Sequence, residues 1–208
     1  MPTFDAILTA LETEGCFISD ELLSPALVQS LLIEGHQRWQ LGQFHDARVG
    51  RKQQLALAAD IRGDSILWLD AHDSYQASQE IFALTELLQQ AFNQYFFMGL
   101  KQVELHYARY ASGTGYKRHI DQHHNTTFRK ITIVIYLNPD WTAEDGGELL
   151  IYDPFNPEQT LFRVLPIAGR IVIFRSDLFE HEVLPSSKTR WSVTGWFRDD
   201  ENFFGFAA

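Results

Sequence analysis

The apolar residues of this 208-residue chain change their spacing near Leu100. Before that point they recur at helical intervals. After it, the segments 103–110, 130–137, 147–152, 160–166, 170–174 and 189–197 are rich in Val, Ile, Thr and aromatic residues. Such side chains favour a pleated, half-buried surface, and these segments read as antiparallel strands. Asp145-Gly146-Gly147 and Ala168-Gly169-Arg170 supply turns between them. Helices first and short strands afterwards is an α+β order, unlike the strand–helix alternation of a parallel sheet.

Within the first hundred residues, Thr3 is placed to cap a helix through about Thr13, with Phe4, Ile7, Leu8 and Leu11 on one face and Gly15 as its stop. Ser24-Pro25 pairs a capping hydroxyl with a proline at the first helical position. Leu27, Leu31, Leu32 and Trp39 form the apolar stripe expected of that helix. Residues 42–58 mix glycine with basic and polar residues and read as a mobile loop. A turn leads into a short strand over 60–70, and Ile81, Leu84, Leu88, Phe92 and Tyr95 mark a third helix over about 76–97. The strand half is expected to form a jelly roll, a double-stranded β-helix, with the N-terminal helices packed on one face. Residues 1–100 then form a helical support region and 101–208 the jelly-roll core. No Pro/Ser-rich linker divides them, so one domain is expected.

Lys and Arg number 17 against 27 Asp and Glu, a formal charge of -10. That balance repels a phosphate backbone and argues against nucleic acid as a partner. The single Cys16 removes disulfide frameworks, cysteine zinc sites and iron–sulfur clusters, and suits a reducing cytoplasm. The first residues lack the basic start and apolar run of a signal peptide. No stretch approaches the ~18 apolar residues of a membrane span. A cytoplasmic protein without a membrane partner is the expectation.

Candidate chemistry gathers in the strand half. His119-Ile120-Asp121 places two metal-ligating groups two residues apart, a spacing that on a strand points both to one face. His181 follows 60 residues after Asp121. Two imidazoles and one carboxylate on one face of an ion, with the other positions open, suit non-haem Fe(II). Alone, an H-x-D is more often a surface pair or a satisfied core histidine. Arg190, among apolar strand residues, is either a surface ion pair or a buried guanidinium that needs an anion. Tyr110, Gly113, Tyr116 and His119 follow at intervals of three. Taken singly, Tyr110 and Tyr136 read as core aromatics, and Arg62, flanked by Asp60 and Asp64, as a local ion pair. His123 and His124 lie in a polar turn and read as solvent-exposed, as do His36 and His45. His106, on a strand, is either a core residue or one that supports a ligand. Cys16 reads as an inert buried thiol.

Four ordered segments carry a family resemblance. LHYARYASGTGYKRHID (105–121) resembles the Y-x-x-G-x-x-Y-x-x-H-x-D segment of prolyl 4-hydroxylases. YLNPDWTAEDGGELLIYD (136–153) and HEVLPSSKTRWSVTGWF (181–197) are similar to their later motifs. DIRGDSILWL (60–69) resembles a run in the hypoxia-sensing prolyl hydroxylases and their bacterial relatives. The resemblance, over about 58–198, is to the iron- and 2-oxoglutarate-dependent dioxygenases, whose fold is the double-stranded β-helix. It implies that His119, Asp121 and His181 bind Fe(II). It also implies that Arg190 pairs with the distal carboxylate of 2-oxoglutarate, with Tyr110, Tyr136, Thr194 and Trp196 lining that co-substrate's pocket. Arg62 would stand near the substrate entrance, and residues 44–58 would correspond to a loop that closes over a protein substrate. The implied reaction consumes 2-oxoglutarate and O2, with ascorbate as a reductant, and hydroxylates a prolyl residue of a protein. Bacterial relatives act on a translation factor, which makes elongation factor Tu the partner to expect. The residues leave open the same chemistry on a small molecule or another side chain, and a jelly-roll module that binds metal without turnover.

Overall fold

A computed structural model describes residues 4–47, 61–122 and 127–201. Three helices, α1 (Phe4–Thr13), α2 (Pro25–Gln40) and α3 (Gln76–Phe96), pack on one side of two antiparallel sheets. The larger sheet contains β1 (Cys16–Ser19), β2 (His45–Asp46), β3 (Asp64–Trp68), β4 (Gln102–Tyr110), β6 (Arg129–Tyr136), β9 (Ile171–Arg175) and β11 (Arg190–Arg198), in the order β1-β9-β6-β11-β4-β3-β2. The smaller contains β5 (Tyr116–His119), β7 (Leu149–Tyr152), β8 (Thr160–Val164) and β10 (His181–Val183), in the order β5-β10-β7-β8. This is the jelly roll expected from the strand run.

The two-residue alternation of the strands makes two cores. Ile131, Ile133 and Ile135 of β6, with Leu105, Tyr107, Val193 and Phe197, face the helices and meet Ile7, Leu31, Ile81 and Leu88. The alternate residues Val134 and Tyr136, with Val172 and Phe174, face the smaller sheet and meet Leu149 and Ile151. The site lies in this second layer, between the sheets. Cys16 is buried there. Burial, with Glu14 nearby, pushes its thiol up to about 12, so it stays protonated.

The helices form where expected, and Leu27, Leu31 and Leu32 of the α2 stripe pack on the core, but the buried face of α2 also takes in residues that the stripe did not include. Its Ser24 cap accepts from the Leu27 N–H at 3.2 Å. Its buried residues are Val28, Leu31, Glu34, Gly35 and Arg38, while Trp39 is 37% exposed. Two charged residues enter the core because they find partners. Glu34 accepts from the Ser78 N–H at 3.1 Å and from the Ser78 hydroxyl, and Arg38 pairs with Asp73 at 2.8 Å. Gly35 allows close approach, since a Cβ there would lie 3.2 Å from the Tyr107 ring. In α3, Leu84 is half-buried and Tyr95 exposed, its hydroxyl 2.6 Å from Glu12. The strands β1 and β2 are not evident in the sequence. They are two to four residues long and exist because a neighbouring strand offers its edge. β2 lies inside the expected loop, whose residues 48–58 fall outside the described residues, as do Thr3, Asp60, His123 and His124.

Candidate active site

β5 and β10 bring the two histidines together. His181 and His119 are direct cross-strand partners, with ring centroids 4.3 Å apart. Each ring is fixed by its own backbone: His119 Nδ1 donates to the Lys117 carbonyl at 2.8 Å and His181 Nδ1 to the Phe179 carbonyl at 3.1 Å. A carbonyl only accepts, so the proton sits on Nδ1 and the Nε2 lone pair is free for an ion. Tyr116 stacks on His119 at 3.6 Å. Burial, and then the neighbouring His181, push the His119 imidazole down to about 3, which keeps it neutral.

Asp121 completes the set, though not by strand alternation. β5 ends at His119, and Asp121 follows in a bend. Its Oδ1 lies 3.7 Å from His119 Nε2 and its Oδ2 3.6 Å from His181 Nε2. One ligand atom from each of the three residues falls within 4.8 Å of the others. Burial raises the Asp121 carboxyl, but the two imidazoles, Arg129 and the Trp196 indole outweigh it and hold the group below the usual carboxylate range.

The inner face of β11 supplies the rest. Arg190, Thr194 and Trp196 sit at even spacing and all line the narrow cavity, about 50 Å³, that the triad also lines. Arg190 is 3% exposed and pairs across the strands with Tyr110. Its Nη1 donates to the Gly147 carbonyl at 3.2 Å, and its charge lies 4.7 Å from the Tyr110 ring and 5.3 Å from that of Tyr136. Among the described residues no carboxylate pairs with it, and Arg190 Nε and the Tyr136 hydroxyl are buried without partners. Burial pushes the Tyr110 and Tyr136 phenols up, so both stay protonated. Thr194 is half-buried, with its hydroxyl 3.4 Å from that of Ser192. Trp196 stacks on His106 at 5.4 Å and carries the Arg129 guanidinium 3.5 Å above it. A larger hollow of about 520 Å³ beside α3, lined by His72, Glu86 and Lys101, has no comparable convergence of buried polar atoms among the described residues.

Residues 105–198 match the family model of the 2OG-Fe(II) oxygenase superfamily. The mouse protein named Prolyl hydroxylase EGLN3 is 30% identical over 207 residues, covering 94% of this chain and 83% of that protein. The chain belongs to this superfamily. A Pseudomonas putida prolyl-4-hydroxylase crystal structure superposes with a TM-score of 0.84 at 35% identity, over 95% of this chain and all of that one. A Trichoplax adhaerens prolyl hydroxylase, solved in complex with a hypoxia inducible factor oxygen degradation domain peptide fragment, gives a TM-score of 0.84 at 26% identity, over 94% of this chain and 88% of that one. The human Egl nine homolog 1 is 28% identical over 93% of this chain, which spans 46% of that protein. The chain thus covers about half the length of the Egl nine homologs it matches.

The residues of this prolyl hydroxylase relative fit both groups that the superfamily uses. Two imidazoles whose Nδ1 atoms are tied to backbone carbonyls and an ionised carboxylate, all on one side, are the donor set of a non-haem ferrous site. A buried guanidinium whose Nε lacks a partner, beside an orphaned phenol, is matched to the carboxylate of a dicarboxylic acid. Arg62 is at the cavity wall but already engaged. It forms a fork with Asp64 at 2.6 and 2.9 Å and lies 5.0 Å from the Tyr116 ring, so the local ion pair anticipated from sequence is present.

Sequence reasoning passed over Thr132 and Ser176, and named Asp64 only as a neighbour of Arg62. Thr132 donates to Asp121 Oδ2 at 2.8 Å, Ser176 lies 2.8 Å from Thr132, and Asp64 is 3% exposed beneath Arg62. A signal existed for Thr132, as a lone hydroxyl among the apolar residues of 131–135. His106 is buried on the cavity wall, with neither ring nitrogen partnered among the described residues.

Proposed function

We propose that this chain is an Fe(II)- and 2-oxoglutarate-dependent dioxygenase that hydroxylates a prolyl residue within a polypeptide. The observation that carries the reading is Arg190, a buried cation without a carboxylate partner among the described residues, in the same cavity as the His119–Asp121–His181 donors. A module that only bound metal would gain nothing from that costly guanidinium.

In this reading His119 Nε2, His181 Nε2 and an Asp121 oxygen hold the iron. When bound, iron with 2-oxoglutarate and O2 supplies the oxidising power that inserts oxygen into a C–H bond. Arg190 grips the distal carboxylate of 2-oxoglutarate and orients the acid towards the donors. The Tyr110 and Tyr136 hydroxyls remain protonated and act as hydrogen-bond donors to the co-substrate, while Thr194 and Trp196 close its pocket. The buried wall around them excludes water. Arg62, held by Asp64, stands at the cavity edge as a contact for the polypeptide. Ascorbate serves as reductant.

The proline preference is supported by similarity to prolyl hydroxylases, one of which was solved with a peptide fragment. Elongation factor Tu is the first protein substrate to try, in a cytoplasmic setting. Among the described residues no helix is long and apolar enough to cross a membrane. The test is succinate release by the purified chain with Fe(II), 2-oxoglutarate and ascorbate, with and without candidate polypeptides. Mass spectrometry of the product then locates the added oxygen. Stimulation by a proline-containing polypeptide, with oxygen on proline, is expected. Oxygen on another side chain or on a small molecule would redirect the substrate assignment, and absence of 2-oxoglutarate turnover would sink the reading.

A further inference from the structure

We propose that Thr132 and Ser176 form a hydrogen-bond relay that positions Asp121 for the metal. The proposal rests on the reading that the triad holds a divalent metal, and it concerns how this chain aims its third ligand.

The two histidines and the aspartate are positioned by different means. His119 and His181 lie opposite each other in a strand pair, so backbone hydrogen bonds set where they point. Asp121 lies two residues past the end of β5, in a bend, where strand pairing no longer sets its direction. Ser176, just beyond β9, takes over that role. Its N–H donates to the Lys130 carbonyl at 3.1 Å, which ties it to the start of β6, and its carbonyl accepts from the Gln122 N–H at 3.2 Å. The backbone next to Asp121 is thereby anchored.

The side chains add a second anchor. Thr132 is on the inner face of β6, opposite Phe174 of β9 and Trp196 of β11. Its Oγ1 lies 2.8 Å from Asp121 Oδ2 and 2.8 Å from Ser176 Oγ. Both hydroxyl residues are buried, at 1% and 0% exposure. The direction of the relay follows from counting protons. An ionised carboxylate only accepts, so Thr132 gives its single proton to Asp121, and its oxygen must then accept from Ser176. The chain Ser176 to Thr132 to Asp121 is polarised towards the carboxylate, and each bond strengthens the next. Partners of a ligating carboxylate typically change metal affinity by about 10–100-fold when removed. Thr132 and Ser176 are therefore positioning residues, acting through Asp121 without touching the metal.

The test uses the full chain, stripped of metal and titrated with Co(II), whose visible bands report coordination geometry. Metal-free melting temperatures are recorded alongside. Thr132→Val keeps the shape and removes the hydroxyl. It is expected to weaken Co(II) by about 10–100-fold and alter the band pattern. Thr132→Ser restores the hydroxyl and is expected to bind within about threefold of wild type, with wild-type bands. Ser176→Ala leaves the Thr132 donor in place and should fall between, weakened by at least about twofold. Thr132→Val with wild-type affinity and bands would overturn the relay, as would Thr132→Ser impaired as badly as Thr132→Val. Should Thr132→Val fail to fold, Ser176→Ala decides: unchanged affinity overturns the proposal. A wild-type chain that takes up neither Co(II) nor 2-oxoglutarate would sink the metal-site reading itself, and the relay with it.

Discussion

His181 of β10 sits directly opposite His119 of β5, and each ring hands its Nδ1 proton to the carbonyl two residues before it. Both Nε2 atoms therefore face Asp121, at 3.7 and 3.6 Å from its two oxygens, before any ion arrives. Preorganisation of this kind puts the cost of ordering the ligands on folding, not on binding.

Removing one of these imidazoles should abolish the site while sparing the fold. His181→Ala is expected to weaken Fe(II) by more than the roughly 100-fold upper range seen for outer partners, since a direct donor is lost. Anaerobic titration with Fe(II) and 2-oxoglutarate, following the weak visible charge-transfer band of the chelate, checks this. An undiminished band in the variant would remove His181 from the ligand set.

Arg190 has no carboxylate partner among the described residues, so its effects on stability and on binding should separate. Arg190→Met takes a buried cation out of the core and should leave the metal-free protein at least as stable as wild type. The same change should cost 2-oxoglutarate about 2–5 kcal/mol of affinity, the usual loss when one side of a buried charged pair is truncated. Arg190→Lys should recover little, because an ammonium cannot reproduce the fork. Calorimetric titration with 2-oxoglutarate and thermal melts of the three proteins measure both quantities.

His106 makes a pH prediction. Burial, with the Arg62 and Arg129 charges, pushes its imidazole well below the ordinary range, and neither ring nitrogen has a partner among the described residues. Above the unfolded value of about 6.5 both states are neutral there and the group contributes no pH dependence. Below it the unfolded chain binds a proton that the folded chain refuses, so stability falls as pH drops. His106→Phe removes that slope and an orphaned polar group worth about 1–3 kcal/mol. The metal-free melting temperature at neutral pH should rise by at least about 2–4 °C, with a wider gap from wild type near pH 5.5. A variant that melts lower at both pH values would show that the imidazole is satisfied after all.

Asp64 lies at 3% exposure under the Arg62 fork. Asp64→Ala leaves that guanidinium largely buried and unpaired, and should destabilise the protein by about 3–5 kcal/mol. Replacing both residues together should cost less than Asp64→Ala alone, since no orphaned charge remains. Urea denaturation of the single and double variants gives the comparison.

Much of this was legible in the chain. The helices at 4–13, 25–40 and 76–96 match apolar spacings and the Ser24-Pro25 cap, and the long strands match runs of β-branched residues. The burial of Glu34 and Arg38 in α2 was not legible, because they look like surface residues until Ser78 and Asp73 close on them. The short strand β1 escaped for the same reason, as its pairing partner β9 lies far away in sequence. The H-x-D spacing singled out two of the three converging donors for an incomplete reason: Asp121 has left the strand, and Thr132 hydrogen-bonds it.

Local pattern determined the three helices and the long strands, because helix and strand periods are properties of neighbouring residues, while the candidate site residues were named by the resemblance of four ordered motifs. Tertiary structure alone decided which hydroxyl meets Asp121, and that, among the described residues, Arg190 and His106 are buried without a carboxylate or a hydrogen-bond partner respectively. Those facts depend on contacts between segments tens of residues apart, where burial removes water and the available partner sets the energy.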